Sequence, residues 1–451
     1  MTARATTSPT VPSPTVTSAT DAGRTGHPGP VISSLQPLRH RNFALVWSAA
    51  LVSNVGSWMQ TVAVGVLVTA RTGHPAWTAL VAAAGFLPAG LLSPLGGVLA
   101  DRLDRRRLFL ATTAGETAFA GGLAALAAAG GLSAGEATLL VLGGGCMSAL
   151  GFPAYQAIMP DLVPRPELGA AISLSSAQFN LGRVVGPALA GVAIAAGGYE
   201  WAFGVNAASF GAVIVALLLL RLPARTARPP GGSVRARLAA GARATAADPS
   251  CRWAVGLIAG VALTASPFIA LVPAVALEAL HGGAPATSVL ITAQGVGAVA
   301  GALALTPLTR RWGRRRVLLA DLVGVCAALV LYGFAPDLPV ATGAMVLVGA
   351  SYIGVLAGCN TIIQLHAPPE LRGRILGIYM MALGVLYPVG ALAQGAIADG
   401  VGVRAVTVGG AALLAAGVAG VVARRLPAAV DGPPALAAPG HTRSAPGGGW
   451  R

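Results

Sequence analysis

The sequence predicts an all-α membrane protein with twelve transmembrane helices in two pseudo-symmetric bundles of six. Three observations support this prediction: an apolar composition, the number of long apolar segments and an internal repeat. Of the 451 residues, 55% are hydrophobic and only 10% are charged, whereas soluble chains carry roughly 25% charged residues. The mean hydropathy of +0.72 indicates more apolar surface than a soluble core can bury. Much of this surface is therefore expected to face lipid.

Twelve apolar segments are long enough to cross about 30 Å of hydrocarbon at about 1.5 Å per helical residue. The predicted helices cover residues 44–69, 77–100, 108–129, 137–159, 168–196, 201–220, 253–280, 287–308, 317–334, 340–364, 375–398 and 401–423. A polar stretch after the sixth segment divides the helices six and six.

This division predicts five regions along the chain. They are a disordered cytoplasmic tail at 1–37, an N-terminal six-helix bundle at 38–222, a cytoplasmic linker at 223–252, a C-terminal six-helix bundle at 253–425 and a second disordered cytoplasmic tail at 426–451. The first tail is rich in Thr, Ser and Pro and contains no apolar stretch. It is therefore interpreted as a tail and not as a cleaved signal peptide.

The positive charge is distributed as in a membrane protein. All 30 basic residues are arginine, and the formal net charge is +15. Nearly all arginines close to a membrane end precede helix 1 or follow the even-numbered helices, as at 105–107 and 314–316. Because arginine is enriched on the inner face of a bilayer, this asymmetry places both termini in the cytoplasm and the chain in the cell membrane. A nucleic-acid partner is not expected, since no soluble basic domain is visible.

An internal repeat supports two related halves. DRLDRRRLFLA from Asp101, after helix 2, aligns with RRWGRRRVLLA from Arg310, after helix 8. The triplet PEL also occurs at 166–168, before helix 5, and at 369–371, before helix 11. Parallel six-helix halves related by an axis along the membrane normal are typical of one class of transporter.

The segment GGVLADRLDRRR from Gly96 resembles the loop between helices 2 and 3 of the major facilitator superfamily. The motif positions are occupied by Gly97, Asp101, Arg102 and Arg105, and the resemblance extends over nearly all of 38–425. Asp104 replaces a later glycine of the motif, as in the branch that includes siderophore and macrolide exporters. The resemblance implies alternating access, with this loop as a cytoplasmic latch that closes in one state only. The alternative is that its arginines only set the topology.

Helix 5 contains GRVVGPALAG, which resembles the Gly-x-x-x-Gly-Pro motif of antiporter branches. The matching residues are Gly182, Gly186, Pro187 and Gly191, while Ala190 replaces one glycine. Small residues four apart permit close approach of a neighbouring helix, and the proline permits a kink. The resemblance implies an exporter. Ordinary small-residue packing is the alternative.

Ionisable groups inside the apolar segments are candidates for function, because each costs about 2.5–3.5 kcal/mol at mid-bilayer on insertion scales. Arg183, in helix 5, is expected to bind an anionic group of a solute or to form an ion pair. Glu116, in helix 3, is a candidate for proton coupling, because such coupling requires at least one group, such as a carboxyl, that can bind and release a proton. A structural hydrogen bond or an ion pair is its alternative, since helix 3 is usually peripheral in the family. Asp321 is expected to pair with nearby arginines.

Polar residues in the predicted helices are candidates for the wall of a substrate cavity. They are Asn54, Gln60, Tyr155, Gln156, Gln178, Asn180, Arg183, Gln294, Asn360, Gln364 and Tyr379. Taken singly, each is more often a hydrogen bond between helices than a ligand contact. They nevertheless lie on helices that the family uses for its cavity.

Nothing in the sequence indicates an enzyme, a cofactor or a metal site. It contains no GxxxxGK[ST] phosphate-binding loop, and its four cysteines stand apart, without metal-ligand spacing. The interpretation is a secondary active transporter that exports a small amphipathic molecule, such as a drug, siderophore or secondary metabolite, in exchange for protons. Arg183 favours an anionic solute. Uptake or facilitated diffusion of a metabolite, or a membrane sensor that transports nothing, are the alternatives.

Overall fold

The structure, a computed structural model, describes residues 35–220, 234–368 and 371–423. These residues form thirteen α-helices and no β-strand. The helices are α1 (Arg41–Thr72), α2 (Pro75–Arg102), α3 (Arg105–Ala128), α4 (Ala134–Ile158), α5 (Leu168–Leu219), α6 (Val234–Ala247), α7 (Pro249–Thr264), α8 (Phe268–Ala274), α9 (Gly283–Trp312), α10 (Arg314–Gly333), α11 (Leu338–His366), α12 (Arg372–Val401) and α13 (Val403–Ala423).

The helix count is consistent with the predicted twelve crossings. Within the described residues, ten helical segments are long and apolar enough to span a membrane, with α7 and α8 joined as one. One of the ten is α5, whose helical geometry is interrupted at Gly197 and Gly198, so it provides two crossings. Gly198 has a φ of 80°, which a residue with a Cβ rarely adopts. The twelfth is α3, which is less apolar because it carries Glu116 and three arginines. The all-α membrane fold is confirmed.

Short polar residues fix where several helices begin. The Asp104 carboxylate accepts a hydrogen bond from the backbone N–H of Arg107 at 2.8 Å, which caps α3. Ser133 and Glu136 form a reciprocal capping box at the start of α4, and Asp337 caps α11 in the way that Asp104 caps α3. Each cap satisfies a backbone N–H that the first helical turn leaves without a partner. These caps allow adjacent helices to follow one another through short loops.

The seventh crossing is discontinuous, whereas the sequence predicted one helix over 253–280. It consists of α7, a turn at 265–267, α8 and a π-helical turn at Val275–Ala279. Pro267 cannot donate to the helical ladder, and the Ser266 hydroxyl is 2.9 Å from the phenolic oxygen of Tyr352 on α11. Hydropathy cannot detect this interruption, because the residues around it are as apolar as those of the helices.

The predicted tails lie largely outside the described residues, which omit 1–34, 221–233, 369–370 and 424–451, and so does the first part of the predicted linker. The end of the first tail is described: Gln36 donates a hydrogen bond of 3.1 Å to Glu167, in a short 3-10 helix. The predicted linker contains α6. This helix packs against the start of α12 so closely that a Cβ on Gly241 would lie 2.9 Å from the carbonyl oxygen of Arg374.

The sequence repeat has a counterpart in packing. The alignment of 101–111 with 310–320, continued by one residue, places Thr112 of α3 opposite Asp321 of α10. Each side chain packs directly on a glycine of the following helix, Thr112 on Gly151 and Asp321 on Gly354. The expected ion pair of Asp321 with nearby arginines is not seen among the described residues, and one carboxylate oxygen, Oδ2, is buried without a partner there.

The two halves of the bundle are the N-terminal half, α1–α5, and the C-terminal half, α7–α13. The arginine-rich end is the end at which α1 begins and α2 and α9 finish. The contacts described between the halves lie at the middle or at the opposite end. A Cβ on Gly384 of α12 would lie 2.7 Å from the Cα of Gly90 on α2, at mid-level. At the opposite end, the Asp399 carboxylate accepts from the backbone N–H of Ala76 at 3.1 Å and lies 3.8 Å from His74.

Candidate functional site

A cavity of about 610 Å³ occupies the part of the N-terminal half nearest the arginine-rich end. Its walls come from the first part of α1 and α3, the last part of α4 and both ends of α5. Within the described part of the chain, Met380 of α12 is the one lining residue from the C-terminal half. The cavity is large enough for a drug-sized molecule, since such sites measure roughly 300–1,000 Å³.

Five of the eleven predicted cavity residues line this cavity. They are Asn54, Tyr155, Gln156, Gln178 and Asn180. Gln178 is only 2% exposed, and its amide nitrogen finds no hydrogen-bond partner among the described residues. An amide donor left unpaired in this way is costly, so it is suited to a ligand or water in the cavity.

Glu116 also lines the cavity, on the third turn of α3. Its carboxyl group hydrogen-bonds to the side chain of Ser148 on α4. One turn earlier on α3, the Thr113 hydroxyl is buried with no partner in residues 35–220, 234–368 or 371–423. Helix 3 was expected to be peripheral, yet its first three turns reach the cavity. They bring a carboxyl and a hydroxyl group to one wall.

Aromatic rings form much of the remaining wall. The rings of Phe109 and Tyr155 have centroids 5.6 Å apart, and those of Phe152 and Tyr155 have centroids 6.3 Å apart. Phe179 and Phe210 complete the aromatic lining. A wall of this kind suits an apolar or aromatic solute.

Arg183 lies outside this cavity lining, at the contact between the halves. Its Nη2 donates a hydrogen bond of 2.8 Å to the Gln294 side-chain oxygen on α9. Its guanidinium carbon is 5.6 Å from the centroid of the Trp58 ring on α1, which is within cation–π range. Arg183 and Gln294, predicted separately as cavity residues, therefore form a bridge between the N-terminal and C-terminal halves.

The other predicted cavity residues form hydrogen bonds elsewhere. Gln60 accepts from the amide of Asn206 at 2.8 Å. Gln364 donates to Asn360 one turn away on α11. The Tyr379 hydroxyl donates to the backbone oxygen of Leu356 at 3.0 Å. The structure does not bring these residues to the cavity.

The motif glycines of α5 lie against two different helices. A Cβ on Gly182 would lie 2.9 Å from the Asn54 Cβ, and one on Gly186 would lie 2.7 Å from the Val55 carbonyl oxygen, both on α1. Gly191 instead faces Ser288 on α9, across the contact between the halves. Pro187 is buried beside them. The same motif thus sets the α1–α5 packing inside one half and the α5–α9 packing between halves.

The loop after α2 is anchored on one side only. Arg105 donates to the backbone oxygen of Ala157 at 3.0 Å, and Arg106 donates to those of Leu217 and Leu218, all in the N-terminal half. The side chains of Asp101 and Arg102 make no hydrogen bond or ion pair with any described residue. A Cβ on Gly97 would meet no described atom within 4 Å. Of the predicted latch residues, Arg105 is therefore anchored within its own half, whereas the side chains of Asp101 and Arg102 are unengaged in this conformation.

Sequence reasoning missed three polar residues that the structure brings into play: Asn206, Ser148 and Thr113. Asn206 is 1% exposed and bonds both Gln60 and the adjacent Ser209. An asparagine inside an otherwise apolar segment was a usable signal. Ser148 and Thr113 gave no such signal, because Ser and Thr hydroxyls can hydrogen-bond to the backbone of their own helix.

No group of three or more His, Cys, Asp or Glu side chains suited to a metal ion occurs in the described part of the chain. The four cysteines are free, and three of them are buried in helices. The polar groups that could contact a solute are therefore the amide, hydroxyl and carboxyl groups of the cavity.

Long apolar helices in two repeated halves around a solute-sized cavity define a membrane transporter. The sequence profile of the transmembrane secretion effector family matches residues 32–436. The chain therefore belongs to this family, within the major facilitator superfamily, and the resemblance found in the sequence is confirmed.

Relatives and a solved structure agree with this assignment. The multidrug efflux pump Tap of Mycolicibacterium fortuitum is 29% identical over 80% of this chain and 90% of its own length. The enterobactin exporter EntS of Citrobacter koseri is 32% identical over 75% of this chain and 81% of its own length. A bacterial homolog of the human lysosomal transporter Spinster shares the fold, with a TM-score of 0.67 and 15% identity over 86% of this chain and 98% of that one. These proteins are transporters and not enzymes.

Proposed function

We propose that this protein exports a small amphipathic molecule across the cytoplasmic membrane in exchange for protons. Two relatives support export, since one is named a multidrug efflux pump and the other an exporter of enterobactin. The cavity supports a small solute, because its volume of about 610 Å³ and its aromatic walls suit a drug-sized molecule with apolar parts.

The observation that carries the proposal is where the cavity lies relative to the seal between the halves. The cavity is at the arginine-rich end, while the halves touch at mid-level and at the opposite end. Because arginine is enriched on the inner side of membranes, we place the arginine-rich end and both termini in the cytoplasm. The conformation is then inward-facing, the state in which an exporter loads its substrate.

The remaining roles follow from this orientation. The two halves rock about their mid-level contact, and the α2–α3 loop closes the cytoplasmic side when they do. Asp101 and Arg102 act as the latch, with Gly97 and Arg105 shaping and anchoring its loop. Gly182, Gly186, Pro187 and Gly191 hold α5 against its neighbours in both halves. Glu116, as a carboxyl group in the cavity wall, takes part in proton coupling.

Transport by inverted membrane vesicles tests the proposed direction. Vesicles that contain the protein should accumulate a fluorescent amphipathic dye when a proton gradient is imposed, and an uncoupler should abolish the accumulation. Accumulation only in right-side-out vesicles would contradict export and favour uptake. Equal dye levels in vesicles with and without the protein, over a panel of amphipathic dyes, would favour the non-transporting alternative.

The latch gives a second prediction. We expect Asp101→Asn to lower the transport rate about tenfold to a hundredfold, because a hydrogen bond to a charged group contributes about 1.5–3 kcal/mol and each 1.4 kcal/mol is about tenfold in an equilibrium constant. The substitution destabilises the outward-facing state, because the latch closes in that state. Initial rates in inverted vesicles provide the measurement.

Asp104→Asn is the matched control for the latch. Asp104 lies three residues away and caps α3 through a side-chain oxygen that asparagine retains. We expect this variant to transport at close to the wild-type rate. Equal losses in the two variants would show that the loop requires negative charge in general and would remove the specific role of Asp101.

A further inference from the structure

The charge of the cavity comes from a single residue. Among its described lining residues, Glu116 is the only Asp, Glu, Arg or His, and every other polar group is a hydroxyl or an amide. Its hydrogen-bonding partner Ser148 is neutral. A carboxylate in a low-dielectric site requires a neutralising partner, which Ser148 does not supply. The cavity is therefore complementary to a positive charge.

Arg183 lies deep in α5 but is not part of the cavity wall, so it does not neutralise this carboxylate there. Arg183 is held by the side-chain oxygen of Gln294 and lies over the Trp58 ring, outside the set of lining residues. The sequence-based expectation of an anionic solute rested on Arg183 facing the solute. Its placement between the halves removes that support.

The aromatic wall is also suited to a cation. Phe109, Tyr155 and Phe152 form an aromatic cluster, in which the Tyr155 ring packs against each of the other two. Phe109 is also on α3, two turns before Glu116, so the rings and the carboxyl group line the same cavity. Ring faces attract cations by about 0.5–2 kcal/mol, and more strongly where water is excluded.

Gln178 adds a hydrogen-bond donor. Its amide nitrogen has no partner in the part of the chain that the structure describes, and the residue lines the cavity although it is only 2% exposed. A solute with an acceptor oxygen or nitrogen would satisfy this amide.

From these observations we propose that the cavity binds an amphipathic organic cation, with the Glu116 carboxylate as its counter-charge, the aromatic cluster as its apolar wall and Gln178 as a donor to it. This inference rests on the proposed transport function and names its substrate class. It assigns Glu116 to substrate recognition, a role distinct from proton coupling alone.

A pair of ions of nearly equal shape and opposite charge tests the inference. Binding of tetraphenylphosphonium and of tetraphenylborate to the purified full chain is measured by calorimetry, for the wild type, Glu116→Gln and Glu116→Asp. We expect the wild type to prefer the cation. Glu116→Gln should weaken cation binding at least tenfold without weakening anion binding, and Glu116→Asp should retain part of the preference.

The control is Glu278→Gln, since Glu278 is an exposed carboxylate at the opposite end of the C-terminal half. It should bind both ions as the wild type does. Unchanged cation binding by Glu116→Gln, or a wild-type preference for tetraphenylborate, would overturn the inference. Transport by vesicles reconstituted with the same purified protein separates the two proposals. If transport persists but the protein has no preference for the cation, only the substrate class is removed. If there is no transport, the proposed function is removed.

Discussion

Gly384→Leu should lower transport about tenfold to a hundredfold while leaving the helices folded. Gly384 lies midway along α12 and faces Gly90 midway along α2, so the backbones of the two halves touch there. A Cβ at Gly384 would lie 2.7 Å from the Gly90 Cα and 2.9 Å from its nitrogen. Since these are backbone atoms, no change of rotamer relieves the overlap, and the halves must separate.

The size of the effect follows from where the side chain is forced in. Overpacking in a well-packed interior costs about 1–3 kcal/mol or more, and about 3 kcal/mol reduces the population of a state roughly a hundredfold. The contact lies at mid-level, where the halves pivot in the proposed rocking motion. The substitution should therefore destabilise both the inward-facing and the outward-facing conformation. Initial transport rates in inverted vesicles measure the loss, with thermal unfolding as a check on folding.

Gly377→Leu is the matched control on the same helix. A Cβ at Gly377 meets no described atom within 4 Å, so the larger side chain has space there. Both Gly377→Leu and Gly384→Leu introduce the helical preference of leucine and additional apolar surface. If Gly384→Leu transports as fast as Gly377→Leu, the close contact of α2 with α12 is not required for transport.

Hydropathy predicted the fold because few backbone conformations are stable in lipid. A segment that crosses hydrocarbon must satisfy its own N–H and C=O groups, so a long apolar run is a helix. The boundary between helices 5 and 6 was placed next to Gly197 and Gly198, where the structure departs from helical geometry. The break inside the seventh crossing was missed, since the residues around Pro267 are buried and apolar, as in a continuous helix.

The candidate site was less predictable, because a helix that is apolar on most faces does not indicate which face points inward. Tyr155 and Gln178 reach the cavity, but Tyr379 and Gln364, chosen on the same grounds, bond within their own half. Glu116 was assigned to a peripheral helix in the sequence-based interpretation. Its position depends on the tilt and rotation of α3, which are set by packing partners distant in sequence.

The partner of Arg183 was hidden for the same reason. Gln294 lies 111 residues further along the chain, and only the docking of α5 on α9 brings the two together. That docking is close: a Cβ on Gly295 would lie 3.0 Å from a methyl carbon of Val184. Both side chains were recognised as polar groups inside membrane helices. Their pairing across the two halves could not be read from either segment alone.

We expect Arg183→Met to shift the protein away from the conformation described here and towards one that is open at the opposite end. Methionine retains most of the length of the side chain and removes the donor to Gln294. Trp58 is in the same half as Arg183, so the cation–π contact does not depend on how the halves are arranged. The 2.8 Å hydrogen bond to Gln294 does depend on how the halves are arranged, because it joins them.

The expected shift is about tenfold to a hundredfold in the ratio of the two conformations, since a buried hydrogen bond to a charged group contributes about 1.5–3 kcal/mol. Spin labels at Gly131→Cys and Pro336→Cys, in a background without the four native cysteines, report the separation of the halves at the opposite end. The long-distance population should grow in Arg183→Met. Arg404→Gln is the control, because Arg404 donates to Ala279 within one half. Matching distance distributions in Arg183→Met and the wild type would mean that Arg183 stabilises α5 within its own half and does not hold the halves together.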